Sequence, residues 1–137
     1  MPVIKELLRG ESDGSISFGD YSLGSKSKLE DFKHGNDVLK VKTFQEITRL
    51  EKNDSVLYES VPGTAVTSFV ETENGVRFTV EGPQDAQITV GLLPDTEYEV
   101  LVGSADAGRI KTNLGGKLSV SVELAGAGEV PVEIRKN

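Results

Sequence analysis

The chain has 137 residues, 36% of them hydrophobic, with 15 glycines and neither cysteine nor tryptophan. That length holds one ordinary domain, and the missing cysteines exclude disulfides, thiolate catalysis and thiolate metal ligation. Its 22 acidic side chains outnumber 15 basic ones, and the resulting net charge of −7 repels phosphate backbones, which argues against nucleic acid as a partner. A glycine-rich, aliphatic composition suits a turn-rich β protein with a Val, Leu and Ile core. No apolar run approaches the length of a membrane span, so no membrane partner is expected. The first ten residues carry Lys5 and Glu6 where a signal peptide would be apolar. The expected location is cytoplasmic, with export by a leaderless route as the alternative.

In chain order, Val3 with Leu7 and Ile4 with Leu8 stand at i, i+4 spacing, which predicts one or two helical turns between Pro2 and Gly10. Such a turn caps the chain's own core or, as an apolar arm, docks Val3, Ile4, Leu7 and Leu8 on a neighbouring copy. From Gly14 the period changes to two. Ile16 and Phe18 share a face, Gly19 admits a bulge, and Tyr21 and Leu23 resume with opposite parity. Residues 24–37 are polar and charged and read as a long loop. Residues 38–50 alternate at Leu39, Val41 and Thr43, yet Phe44, Ile47 and Leu50 fall at helical spacing. Residues 46–60 read as a hairpin around a turn at 51–55. Pro62-Gly63 breaks the run. It sets the expected division between an N-terminal segment over 1–60, a short helix or arm plus β-rich chain, and a sandwich domain over 61–137.

Beyond that division the expected strands cover 64–70, 75–81, 86–90, 97–102, 108–112, 117–124 and 129–135, separated by legible turns that include Ser104 to Gly108. Short strands at this spacing are the pattern of a β-sandwich. Residues 117–124 alternate most regularly, with Leu118, Val120, Val122 and Leu124 inward and Ser119, Ser121 and Glu123 outward. Pro131 has no ladder donor, so the last strand is expected at a sheet edge. Pro94 and Asp95 form a turn that feeds a strand beginning near Tyr98, whose ring is expected between two sheets with its hydroxyl returned to upstream backbone.

Candidate chemistry is sparse. His34 is the only histidine, with Asp31 and Asp37 near in sequence, but a lone histidine makes a poor transition-metal site and reads as a solvated surface group. Glu97 and Glu99 share a strand face about 7 Å apart, which Tyr98 inward would turn to solvent. Other carboxylates (Glu11 and Asp13, Glu30 and Asp31, Glu71 and Glu73) form no pattern beyond proximity. Neither Asp13, Asp20 nor Asn53-Asp54 shows the ligand spacing of a calcium loop. The glycine pairs at 115–116 and 126–128 do not follow a strand and open a helix, as a phosphate cradle would. Ser12-Asp13-Gly14-Ser15 resembles an Asp-box turn without its tryptophan. No catalytic residue, cofactor or metal site is expected, and the chain reads as a non-enzyme.

Three resemblances add to this. Leu92, Pro94, Thr96, Tyr98 and Val100 match the L-x-P-x-T-x-Y-x-V signature, and the segment resembles fibronectin type III-like domains. Residues 92–134, with Lys111-Thr112-Asn113-Leu114-Gly115-Gly116-Lys117-Leu118, resemble the C-terminal accessory β-domains of bacterial polysaccharide lyases and glycosidases. Residues 41–51 and 58–66 resemble small clostridial proteins that carry the label endosialidase. Sialidases are similar to one another in using a propeller of at least four blades of about 40 residues, which this chain is too short to build. The label therefore implies no activity here. The expected fold is an all-β, fibronectin- or immunoglobulin-like antiparallel sandwich with an N-terminal β-rich extension. The expected function is non-catalytic self-association as a structural component, with the chain itself as partner; a glycan-binding accessory module is the alternative, and a small glycan hydrolase the weakest of the three.

Overall fold

The computed structural model describes residues 3–103 and 105–136, and these contain strands and turns but no helix. Pro2 and Ser104, read above as punctuation of a helix and a turn, lie outside the described residues. In chain order, β1 (Leu8–Gly10) and β2 (Ile16–Phe18) pair first. A meander follows, made of β3 (Ser27–His34), β4 (Asp37–Phe44), β5 (Ile47–Lys52) and β6 (Ser55–Val61). The chain then crosses to a hairpin of β7 (Ala65–Thr72) and β8 (Gly75–Glu81). Next come β9 (Ala86–Gly91), the hairpin of β10 (Glu97–Val102) and β11 (Ala105–Lys111), β12 (Lys117–Val122) and β13 (Val130–Lys136). Every pairing is antiparallel. One sheet has seven strands, ordered β1-β2-β7-β8-β13-β10-β11; the other has six, ordered β12-β9-β6-β5-β4-β3.

The two sheets face each other across one continuous core. With only eight aromatic side chains, the middle is filled by β-branched and leucine side chains at every second strand position, such as Ile88, Val90, Val100 and Ile134. Four of the aromatics gather at one place. Phe18 meets Tyr58 edge-on at 5.3 Å and Phe69 at 5.8 Å, and Phe69 stacks on Phe78 at 5.4 Å. Edge and offset contacts of this kind add about 1 kcal/mol each beyond the area they bury. They join β2, β7 and β8 to β6, so residues on both sides of Pro62 build the same core. The expected division there marks a crossing between sheets, not a break between two cores.

Four further readings are corrected. The i, i+4 spacing near the N-terminus belongs to a turn followed by a strand: Leu7 takes φ +72°, Ile4 donates to the Gly19 carbonyl, and Gly19 donates to Leu7. Both Ile4 and Leu8 are thereby buried in their own chain, while Val3 and Leu7 stay half-buried. The segment read as a loop over 24–37 contains β3. Its apolar side chains are hidden from a period-two reading by a bulge between Leu29 and Phe32, where Asp31 sits at φ +58°. Both residues consequently pack on the core from three positions apart. The helical spacing of Phe44, Ile47 and Leu50 is a β4–β5 hairpin turn at Gln45-Glu46.

The last correction concerns Pro131. β13 lies in the interior of the seven-stranded sheet, between β8 and β10. The Pro131 carbonyl accepts from Gly103 N at 2.7 Å, one residue past the end of β10. In an antiparallel ladder a residue's N–H and C=O point the same way. The missing donor is therefore aimed beyond β10's last residue, and no ladder bond is lost. Immunoglobulin- and fibronectin-type sandwiches place their last two strands side by side in one sheet. Here β12 pairs with β9 and β13 with β8 and β10, so the closing strands lie in different sheets.

Candidate functional site

Tyr98 is where the sequence places it. Its ring is buried at 2% exposure, and its hydroxyl accepts from Leu93 N at 3.2 Å. The turn that positions it is locked from a distance. Thr96 N donates to Thr112 Oγ1 at 2.9 Å, and that hydroxyl donates to the Leu93 carbonyl at 2.6 Å. Leu92 N donates to Gly116 O at 2.7 Å, and Asp95 N to Asn113 O at 3.1 Å. The two stretches quoted separately from the sequence, around Leu92-Pro94-Thr96-Tyr98-Val100 and around Thr112-Gly116, thus form one interlocked corner. Gly116 needs its lack of a side chain here: at φ +81° a Cβ would stand 2.4 Å from Leu92 O.

This corner walls an open cleft of about 480 Å³ at one end of the sandwich, lined by Lys52, Glu71, Glu73, Leu92, Leu93 and Lys117. Three of these charges are engaged: Lys52 Nζ donates to Glu71 at 2.8 Å, and Lys117 Nζ to Val56 O at 3.3 Å. Leu93 and Leu114 stand 52% and 86% exposed on the loops that build it. Aromatic platforms are missing from its rim. Every Phe and Tyr of the chain is buried or half-buried.

The remaining sequence candidates do not converge. His34 ends β3 with its Nε2 at 3.1 Å from the Gly14 carbonyl, while Asp37 accepts from Asn53 Nδ2 at 2.9 Å. Asp31 forms the β3 bulge. Glu99 accepts from Arg135 Nε at 3.1 Å, and Asp95 pairs with Lys111 at 3.2 Å. Glu11 is held below the usual carboxylate range, chiefly by the Ser17 hydroxyl and then by Arg9; Asp13 is lowered by the Ser15 hydroxyl and backbone. Among the described residues, no three His, Cys, Asp or Glu side chains group so as to hold a metal ion.

Two features were not anticipated. The first is a buried hydroxyl chain: Asp20 N donates to Thr43 Oγ1, Thr43 hydrogen-bonds Thr48 Oγ1 at 2.8 Å, and Thr48 closes on the Thr64 backbone. Thr64 Oγ1 in turn meets Tyr58 Oη and Ser60 Oγ, both at 2.8 Å. Beside it, Glu81 Oε1 is buried without a hydrogen-bond partner among the described residues. The Tyr21 phenol is pushed up by its own burial, then by Glu81 and Asp20. Threonine and serine at inward strand positions are the signal that marks such a chain in sequence.

The second is which strand forms an open sheet edge. β12 pairs with β9 without a register shift from Lys117↔Gly91 to Val122↔Ala86, and among the described residues its other side borders no strand. Both ends are pinned. Asn113 Oδ1 accepts from Gly115 N and Lys117 N, each at 2.9 Å, and Asp85 Oδ1 accepts from Leu124 N and Ala125 N at 3.0 and 3.1 Å. No protein-family model matches this chain, and neither a curated protein nor a solved structure matches it.

Proposed function

We propose that the protein is a non-catalytic, self-associating structural component built on its β-sandwich. The observation that carries this reading is the β12 edge, a straight strand held at both ends whose outer side is unpaired. Sheet edges of this kind template the addition of another strand. Several charged side chains are engaged in holding turns and strands: Asp85 and Glu11 accept from neighbouring backbone or hydroxyl groups, and Glu99 and Lys52 sit in ion pairs. Of the N-terminal apolar residues, Ile4 and Leu8 contribute through their own chain's stability, because they are already covered, while Val3 and Leu7 stay half-buried. Sedimentation velocity or size-exclusion with light scattering tests the reading. An apparent mass above that of one chain, rising with concentration, is expected; a monomer at the highest attainable concentration refutes it.

One observation favours the glycan-binding alternative, the polar cleft beside Tyr98. Sugar sites draw much of their affinity from stacking on aromatic faces, and none is exposed here. Retention on immobilised cell-wall polysaccharide that Lys52→Ala abolishes would support this alternative, and passage without delay removes it.

A further inference from the structure

The two sheets have four edges, and they differ. β1 is three residues long. β3 is bulged between Leu29 and Phe32 and carries Lys28, Glu30, Asp31 and Lys33. β11 is bulged where it passes Val100 and Leu101 of β10. Shortness, charge and bulges are the devices that keep an edge from pairing with another chain. β12 has none of them: six residues, no proline, no register shift, and no charge between Lys117 and Glu123.

Its free groups can be identified. Gly116 O accepts from Leu92 N, so Gly116 faces the β9 side, and Leu118, Val120 and Val122 follow it by alternation. The N–H and C=O of Ser119 and Ser121 therefore point away from the sheet, and both residues are exposed. Lys117 points outward as well, but Asn113 already satisfies its backbone on both counts, with Lys117 N on Asn113 Oδ1 and Asn113 N on Lys117 O.

We propose that β12 pairs antiparallel with β12 of a second copy of this chain about a two-fold axis through Val120, joining two six-stranded sheets into one. This deepens the self-association reading above and rests on it. The segment is self-complementary in that register. Ser119 lies opposite Ser121 of the copy, and each such pair exchanges two backbone hydrogen bonds using the groups left free. Leu118 lies opposite Val122, continuing the buried layer, and Val120, the most exposed member of the core at 8%, meets its own equivalent on the axis. The pairing ends short of Lys117, whose outer side Asn113 already fills. A two-fold interface closes on itself and yields a dimer.

The natural absence of cysteine makes the register directly testable. Ser119→Cys and Ser121→Cys are prepared separately, each exposed on the outer face. A directly opposite antiparallel pair falls within disulfide reach at a Cα separation of about 5.5 Å. Mild oxidation of the mixture is expected to give a covalent dimer containing one chain of each, at least tenfold more than either variant gives alone. Ser121→Pro removes a donor that the protein's own sheet does not use; circular dichroism should stay native while the apparent mass falls to one chain. If Ser121→Pro proves unfolded, the cysteine mixture alone decides. A Ser121→Pro variant that is folded and still associates, or equal cross-linking in mixed and unmixed samples, overturns the β12 pairing while leaving self-association standing. A wild-type protein that is monomeric throughout overturns both.

Discussion

Thr48→Val is the sharpest test of how the fold is held together. Thr48 is fully buried, and its hydroxyl oxygen serves three partners. It accepts from Thr64 N at 3.1 Å, donates to Thr64 O at 2.8 Å and bonds Thr43 Oγ1 at 2.8 Å. Its single proton goes to the carbonyl, so the Thr43 hydroxyl must be the donor in the third bond. Valine has nearly the same shape but strands a backbone N–H, a backbone C=O and a hydroxyl proton in a dry interior. Each stranded group costs about 1–3 kcal/mol, against roughly 1 kcal/mol regained from burying a methyl in place of the hydroxyl. The net loss expected is about 2–8 kcal/mol, or a Tm lower by on the order of 10 °C or more for a domain of this size. Chemical denaturation with circular dichroism reads the first and calorimetry the second. Thr89→Val, which breaks the 2.8 Å bond to Ser119 on the outer face, is the control and should stay within about 0.5 kcal/mol. A Thr48→Val protein as stable as that control would refute the claim that this hydroxyl chain clamps β4 and β5 to the crossing at Thr64.

Leu8→Ala should destabilise by about 2–5 kcal/mol in denaturant while Leu7→Ala costs under about 1 kcal/mol, because only Leu8 is buried; equal effects would contradict the placement of β1. Tyr58 is fully buried, and burial pushes its phenol far above the ordinary value. Its folded pKa being raised, the stability it contributes is complete below the unfolded value of about 10 and falls as pH rises beyond it, by about 1.4 kcal/mol per pH unit. Alkaline unfolding followed by phenolate absorbance should lose that slope in Tyr58→Phe, and an unchanged slope would rule Tyr58 out as its source. Gly75→Ala should unfold at markedly lower denaturant than wild type, since a Cβ at φ +155° would stand 1.9 Å from the Ile134 carbonyl. Gly24→Ala, with open space around it, should sit within about 0.5 kcal/mol of wild type, and parity between the two would refute the close approach of β8 and β13.

What the sequence made legible follows from how far each signal reaches along the chain. Period-two alternation and turn residues are local, and they placed the seven expected strands of the second half, β8 and β10 among them, within about three residues of where they lie. Tyr98 was readable because its turn lies only a few residues away. β3 was not, because the bulge at Asp31 shifts the parity of Phe32 and a charged outer face masks the rest. The N-terminal turn was misread for a related reason: one positive φ at Leu7 turns a strand's apolar positions into the spacing of a helix. Strand order was beyond reach altogether. Pro131 is compatible with an edge, and equally with an interior strand whose neighbour stops one residue short.

That last point governs which strand is left at a sheet edge. An edge is a property of the whole sheet, so Ser119 and Ser121 look in sequence like any outward-facing pair, with no mark of which side of their strand is empty. Only when β13 is seated between β8 and β10 does β12 become terminal, with β9 as its sole neighbour. Moving β13 to the outside of β12 would leave its Pro131 tolerated and the serine backbone groups satisfied, and nothing would remain to drive assembly through that strand. The same placement explains why the Thr112-Gly116 corner matters beyond folding. By fixing Leu92 against Gly116 it sets the alternation of every residue that follows, and so decides that Ser119 and Ser121, and not Val120, present their donors to solvent. A one-residue slip at that corner would turn the apolar side chains of β12 outward and its serines into the core. The corner and the edge are therefore coupled: Gly116→Ala, which forces a Cβ toward Leu92 O, should weaken the proposed β12–β12 pairing through register as well as lower stability. Oxidising a Gly116→Ala version of the mixed cysteine pair separates the two effects, because a folded variant that cross-links at the wild-type yield would show that the corner does not set the register.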